Sequence, residues 1–528
     1  MRLSGGERGQ VRGLIVMWVL GALGGGALAQ EGAAPGGEDP QALQRRLEEL
    51  EGKVRALEAE RAAGTPTAPA DASPADAAPV SSAGGGPAGV GVSFEEGLLL
   101  ELPLSLRLRV HGQVRFRGEY RDPRDYRIPG TFGRPAADNA DDAEDFVSQR
   151  TWVTLELTVR EHIRAGVGVM DARLWGDQPI GADSAELFLR EGWVELERIL
   201  DQPLRVRVGR TLLPRLGDQR LFSDLDWAPV PRIWDAVQAT WEPEGWFVTA
   251  MAANLREAQV QTPRGDENDD FWLAGVYASN RAIEGCELDV YFFWRELSDE
   301  LFLNEARFGN GFTTRLGERE DYSLGGRVRL EQGPVGATLE AVYQWGNQAG
   351  DRVETFAGAA KAWVKLPLPE GLPKLRIAAE YAYASGDRDP SDGRLNTFDP
   401  IFPFGHAYHG HMDLVLWSNI HAASLQLTAG MPAPLEWLEL HADGHLFWLD
   451  KTKDAWFALT KTPIRRDPSG AADSYLGGEL DLYAQVRLWK NRIFVWAGFS
   501  QFFTGKYVRD TGKAEDQRWA FLLFEVNF

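Results

Sequence analysis

Three of the chain's eight histidines, His406, His409 and His411, fall within six positions of the stretch TFDPIFPFGHAYHGHMD at 397–413. Imidazoles this close could hold a metal, relay protons or act as a general base. A second row, Glu439, His441, Asp443 and His445, sets ionisable side chains at alternate positions, which share one face of an extended chain. Elsewhere the chain has no G-x-S-x-G, H-E-x-x-H or phosphate-loop pattern. Its single cysteine, Cys286, allows no intrachain disulfide framework. The chain is therefore not expected to be an enzyme. What the histidines do depends on the elements that carry them.

Those elements begin with a leader. Arg2, Arg8 and Arg12 precede the apolar run Gly13–Leu23, and Ala27-Leu28-Ala29 supplies a small-x-small cleavage pattern, so residues 1–29 read as a secretory signal peptide. No later run reaches the roughly 18 consecutive apolar residues of a membrane helix. A membrane protein of this sequence must then be a closed barrel. The formal charge is −21, and removing the leader, which carries a net +2, takes it to −23; nucleic acid is excluded as a partner on that ground.

Residues 30–62 are expected to form a periplasmic coiled-coil stalk. Leu43, Leu47, Leu50, Val54 and Leu57 alternate spacings of four and three, a short heptad seam that ends at Arg61 and could join copies of the chain through 40–62. Residues 63–99, rich in Ala, Pro and Gly, read as a linker.

From residue 100 the period becomes two. In LPLSLRLRVHGQVRFRGEY, Leu104, Leu106, Leu108, Val110, Val114 and Phe116 share one face, with Arg107, Arg109, Arg115 and Arg117 on the other. Eighteen such segments run to the C-terminus, an even number, separated by alternating short and long connections. The fold expected for 100–528 is an all-β transmembrane barrel of about 18 antiparallel strands. Trp294, Tyr343, Trp345 and Trp448 fall on the outward parity near strand ends, where an aromatic girdle would lie.

Strand parity turns the Arg and Lys residues into a candidate anion pathway: Arg107, Arg109, Arg115 and Arg117 on the first strand, Arg205 and Arg207, Arg327 and Arg329, then Lys361 and Lys365. Guanidinium groups distributed along a wall hand a carboxylate from one to the next. Glu156, Glu195, Glu340 and Asp481 share the inward parity, so the lumen is expected to be mixed in charge. No cofactor is expected. The acidic runs Asp138–Asp145 and Asp266–Asp270 have the oxygen ligands for Ca2+ in extracellular loops, whereas the segment from Asp387 to Gly393 has its glycine one place late for an EF-hand and Phe398 in the twelfth position.

Three blocks carry a resemblance to a known family. They are MDARLWGD at 170–177; VGRTLLPRLGDQRLFSDLDW with RIWDAVQATWE; and SGDRDPSDGRLNTFDPIFPFGHAYHGHMD followed by HLFWLDKTKDAWF. Together with the closing strands they make residues 100–528 resemble the alginate export family of outer-membrane barrels. The resemblance implies a monomeric eighteen-stranded barrel and diffusion of an acidic polysaccharide through a basic, loop-gated lumen. It marks Arg210, Asp218, Arg220, Asp235, Asp387, Asp399, His406 and Asp413 as motif positions. The histidine stretch then falls in the longest loop, at the extracellular mouth, with His409 and His411 as the weak candidates for a surface metal. The expected function is an outer-membrane channel passing anionic solutes or an acidic polysaccharide such as alginate, with its N-terminal segment in the periplasm and outer-membrane lipid around it. The alternatives are a general-diffusion porin, a stalk-anchored envelope barrel with a plugged lumen, or a barrel enzyme using His441 and His445.

Overall fold

The computed structural model describes residues 91–93, 98–102, 105–122, 143–176, 184–256, 271–304, 313–389, 391–461 and 463–528. The segments read as signal peptide and stalk, and most of the linker, lie outside the described residues.

Among the described residues, eighteen strands close into one barrel. The first six are β1 (Leu106–Asp122), β2 (Glu144–Val159), β3 (Ile163–Gly176), β4 (Ser184–Leu196), β5 (Leu204–Thr211) and β6 (Ile233–Trp241). Next come β7 (Trp246–Arg256), β8 (Phe271–Asn280), β9 (Cys286–Asn304), β10 (Thr313–Gln332), β11 (Val335–Gln348) and β12 (Asp351–Lys365). The last are β13 (Lys374–Ala384), β14 (Ile420–Gly430), β15 (Leu438–Leu449), β16 (Tyr475–Leu488), β17 (Ile493–Thr504) and β18 (Gln517–Asn527). Each pairs antiparallel with the next, and β18 returns to β1 over Arg518↔Asp122 to Asn527↔Gln113, so the barrel closes on itself. The part of β1 that β18 does not reach, Leu106–Leu108 and beyond to Val110, pairs with a short strand Leu98–Leu102, itself paired with Gly91–Ser93. These two short strands lie within or across the end of the stretch read as linker.

All eighteen period-2 segments appear as strands. The connection expected over 296–321 is mostly sheet instead: β9 and β10 continue through a bulge at Leu297/Glu300 and pair as far as Asn304↔Thr313. The polar alternation there is too weak to mark strands by parity.

The outward face is apolar, as a bilayer requires of a surface with no other cover. Leu155, Val167, Leu339, Leu425 and Leu522 are all exposed on it. Phe292, Tyr322, Trp345 and Tyr343 stack in one outward group toward the long-loop end, with ring centroids 5.6 to 6.3 Å apart, so two of the four expected girdle residues join a continuous aromatic patch.

The hydrophobic core is inside the barrel, and the connections 212–232, 385–419, 450–474 and 505–516 build it with the wall. Residues 212–232, between β5 and β6, supply Leu213, Leu221, Phe222 and Trp227; residues 385–419, between β13 and β14, supply Phe398, Ile401, Met412 and Trp417. Apolar side chains at this density do not stay in water, and these loops bury them against one another, the lumenal wall and the connections that carry Trp456, Ile464, Tyr507 and Val508. The loops also hydrogen-bond each other, Phe402 N donating to Leu221 O at 2.8 Å and Phe404 N to Gln219 O at 3.0 Å. The histidine stretch therefore does not sit at the mouth. It is folded into the lumen, where His406, His409 and His411 are all buried.

Candidate functional site

The lumenal wall divides by charge. On β1, β2 and β4, Arg115, Arg117, Arg150 and Arg190 are buried together. Arg190 joins the group because a bulge in β4, where Gly168↔Glu191 is followed by Val169↔Leu189, turns two successive side chains inward. Two strands further round, beyond β17 and β18, β16 and its neighbour β15 present Asp443, Glu479 and Asp481 beside His441 and His445.

Residues 226–228 of the in-folded segment 212–232 meet the basic group. Arg115 donates to the carbonyls of Asp226 (2.7 Å), Trp227 (3.1 Å) and Ala228 (2.7 Å). Arg150 reaches the Asp226 carboxylate at 2.9 Å, while Arg117 pairs with Glu119 at 2.6 Å and lies 4.0 Å over the Trp227 ring. The opposite face of Trp227 is covered by His406, with centroids 4.2 Å apart. Trp496, Trp519 and Phe521 meet the indole edge-on from β17 and β18. One tryptophan thus joins both loops to the wall.

His411 and Met412, in the segment 385–419, meet the acidic group. His411 faces Asp481 at 3.4 Å, His445 faces the same carboxylate at 3.4 Å, and Glu479 accepts from Met412 N at 2.9 Å. Gly410 has φ +86, and a Cβ there would collide with the Glu479 carboxylate, so only glycine brings the loop this close. His406 contacts Asp413 at 3.2 Å. His409 and His411 are buried, which corrects the expectation of a surface position. Among the described residues no group of three or more His, Cys, Asp or Glu side chains has the geometry to hold a metal ion. The candidate catalytic row is likewise engaged: His441 pairs with Glu439 at 2.8 Å, and Ser424, opposite His445 in register, makes no hydrogen bond to it.

The remaining motif residues act mostly as pins. Asp218 reaches Arg327 at 2.8 Å, and Arg220, wholly buried, pairs with Glu380 at 2.8 Å and lies 3.7 Å from the Tyr408 ring centroid. Asp399 sits between Arg295 (2.9 Å), Lys461 (2.9 Å) and Arg319 (3.1 Å). Desolvation works to raise its pKa, but these three cations hold the carboxyl well below the usual range; the Lys461 ammonium, half-buried beside it, is pushed by desolvation down to about 8. Asp387 receives Asp389 N at 3.0 Å, and its own N–H donates to Asp454 at 2.9 Å, whose carboxyl burial raises to about 6. Arg210 and Asp235 pair at 2.6 Å on the outward face instead, two strands edge to edge near the long-loop end.

The other expected pathway cations are largely matched by acids. Arg205 pairs with Glu242, Arg207 with Glu195, Arg329 with Glu331, Lys361 with Glu380 and Lys365 with Glu331, while Arg327 also meets Glu287 and Asp289. Arg107 is exposed and Arg109 half-buried at the end of β1 nearest the C-terminal Phe528, with Arg109 opposite Glu156 in register. The ladder expected along β1 is therefore split: its lower pair faces the opening, and its upper pair is occupied by the loop.

His409 gives the seated loop a pH dependence. Burial, with Arg220 nearby and against the opposing pull of Glu380, pushes its pKa down to about 3. A solvated histidine titrates at about 6.5, so as pH falls the released loop takes up the proton first. Seating is fully favoured above that pH and weakens by about 1.4 kcal/mol for each unit below it until the seated value is reached. His406, also shifted down by burial, adds in the same direction. Lowering pH from about 7 to 4 is expected to raise single-channel conductance as the loop leaves, and His409→Leu should flatten that rise. A wild-type profile flat over this range would contradict it.

A family model described as alginate export matches residues 107–521. Among solved structures, the barrel is similar to Pseudomonas aeruginosa OpdQ, with 12% sequence identity, 80% of this chain and 97% of that chain covered, and a TM-score of 0.50. It is also similar to Pseudomonas aeruginosa OccK11 (OpdR), at 11% identity over 79% of this chain and 96% of that one with a TM-score of 0.48. Acinetobacter baumannii OccAB1 gives the same identity, coverage and TM-score. The likeness to OpdQ is one of fold. No curated protein matches the chain.

Proposed function

The chain belongs to the alginate export family, whose model spans residues 107–521, and from that premise we propose that its barrel is an outer-membrane channel for anionic solutes, an acidic polysaccharide such as alginate among them. In this reading the long-loop end is extracellular and the termini are periplasmic, and passage is by diffusion. The observation that carries it is the gathering of Arg115, Arg117, Arg150 and Arg190 on neighbouring strands of one lumenal wall. Guanidinium groups there are held in a low-dielectric seam, where each acts more strongly on a passing carboxylate than it would in water.

A second reading, a barrel whose lumen stays closed, is favoured by the burial of both in-folded loops. Reversal potential in planar bilayers under a salt gradient separates the two. The proposed channel carries an anion-selective current, and Arg115→Gln, Arg117→Gln and Arg150→Gln together move the reversal potential toward zero. A closed wild-type barrel supports the second reading, and an unchanged reversal potential in the triple variant refutes the basic wall as the selective element.

A further inference from the structure

We propose that residues 91–102 fix the register in which the barrel closes: the strand Leu98–Leu102 fills the edge of β1 below Gly112, so that the last strand docks only with Phe528 on Gly112. The partner of this edge is the chain's own N-terminal hairpin.

Two strands lie end to end on one edge of β1. β18 takes the edge from Asp122 to Gln113, and Gly112 and Phe528 exchange both backbone bonds, at 2.9 and 3.0 Å. Leu98 then stands opposite Val110 and Leu102 opposite Leu106, with His111 alone between the two strands' places. Because Gly112 shares a hydrogen-bonded pair with Phe528, the even-numbered residues of β1 turn their backbone groups to this edge. Leu98 and Leu100 therefore meet Val110 and Leu108 in the same kind of pair. Gly91–Ser93 backs the strand, from Gly91↔Glu101 to Ser93↔Leu99. The hairpin thus extends an existing sheet, whereas a lone two-stranded ribbon is marginal.

Without the hairpin, about 17 Å of β1 edge, the length of residues 106–110, is open backbone that accepts any extended chain. β18 could then slide two residues along it. Side-chain alternation does not oppose this slide, which leaves Leu522, Phe524 and Val526 facing out and Leu523 and Glu525 facing in. The interior does change. Glu525 would leave Arg115 for Gln113, and Leu523 would come opposite the buried Arg115 guanidinium. Trp519 and Phe521, which now meet Trp227 edge-on, would move about 7 Å past it. Phe528 gives the observed register a preference but no stop. Its ring lies over Gly112, where a Cβ would come 2.6 Å from the ring, and a displaced ring on that outward face meets lipid.

Chain order puts the hairpin there first. Leu98 and Val110 are 12 residues apart in sequence, whereas Gln113 and Asn527 are 414 apart. The shorter loop costs less entropy to close and closes sooner, so the edge below Gly112 is already filled when β18 arrives.

Disulfide formation across the seam of the full chain, refolded into lipid vesicles in a Cys286→Ser background, reads the register. Gln113→Cys with Asn527→Cys reports the observed register, and His111→Cys with Asn527→Cys reports the slid one. With the hairpin intact, the first pair links and the second does not. Leu98→Pro with Leu100→Pro removes two N–H donors from the hairpin strand, and is expected to cut the first link by about half and to bring up the second. A chain with these prolines that still links 113 to 527 alone overturns the proposal. Should the proline variant not assemble, the order of events in the intact hairpin decides. Leu99→Cys with Arg109→Cys must link severalfold faster during refolding than Gln113→Cys with Asn527→Cys, and a seam that links as fast or faster overturns the proposal.

Discussion

Asp399→Ala is expected to release segment 385–419 from the wall and to lower the stability of its seated state by about 3–5 kcal/mol, the range for removing one partner of a buried ion pair. That size follows from the charges left behind. Arg295 and Arg319 have side chains only 2% and 4% exposed, and with Asp399 gone they share Asp321, which each meets at 2.6 Å. Two guanidiniums and the Lys461 ammonium would then face one carboxylate. Asp399 also ties its backbone to β11, its N–H donating to Gln344 Oε1 at 3.2 Å and its carbonyl accepting from Gln344 Nε2 at 3.0 Å. Asp399→Asn keeps those backbone bonds and loses the charge, so it should show most of the effect. The pH dependence has a definite sign. The folded pKa lies below the unfolded value of about 3.9, so the stabilisation is complete above that pH and is lost as pH falls through the folded value. Denaturant titration of the purified barrel, with protease sensitivity of the segment as the local readout, measures it. Protease resistance equal to wild type in the alanine variant would contradict the pin.

Trp227→Ala is the second change of this size. The indole is the meeting point of both in-folded loops: Arg117 lies on one face, His406 on the other, and three aromatic side chains from β17 and β18 on its edges. Truncating a buried tryptophan to alanine costs about 3–5 kcal/mol, and here the T-shaped ring packing disappears along with the buried apolar area. The barrel itself should survive, because its eighteen ladders do not pass through Trp227. The expected outcome is a barrel of unchanged strand content with larger single-channel conductance and noisier gating. Trp227→Phe, which fills part of the gap, should fall between. A variant with wild-type conductance would show that the two loops are held apart from this contact.

The strands are legible in the sequence because each lipid-facing residue must be apolar and each lumen-facing one need not be, which writes a period of two along every strand. The same parity marks Arg150, at the head of its segment and in phase with Glu156, and Arg295, in phase with Glu287 and Asp289, although neither stands among the expected pathway residues. Arg190 cannot be found that way, since the bulge that turns it inward breaks the phase. The position of the loops is less legible for a related reason. Their apolar residues, Leu221, Phe222 and Trp227 in one and Phe398, Ile401 and Trp417 in the other, follow no period, because irregular backbone packs them. Long connections of barrels ordinarily point outward, and the expectation for these loops followed that rule. Their apolar content is the signal against it, for a solvated loop has no use for a buried tryptophan. The pairing of lumenal cations with acids is visible in outline, yet parity alone does not say that Arg327 meets three carboxylates while Arg115 meets mainly carbonyl oxygens.

Efflux from proteoliposomes tests the central claim most directly. Vesicles carrying the full chain are loaded with an acidic oligouronate and a neutral oligosaccharide of the same length, and the release of each is followed over time. A loop-filled lumen with a basic wall predicts that the acidic sugar leaves faster, and that Arg115→Gln with Arg150→Gln narrows the difference. Equal release of the two sugars, or no release of either from wild-type vesicles, would contradict it.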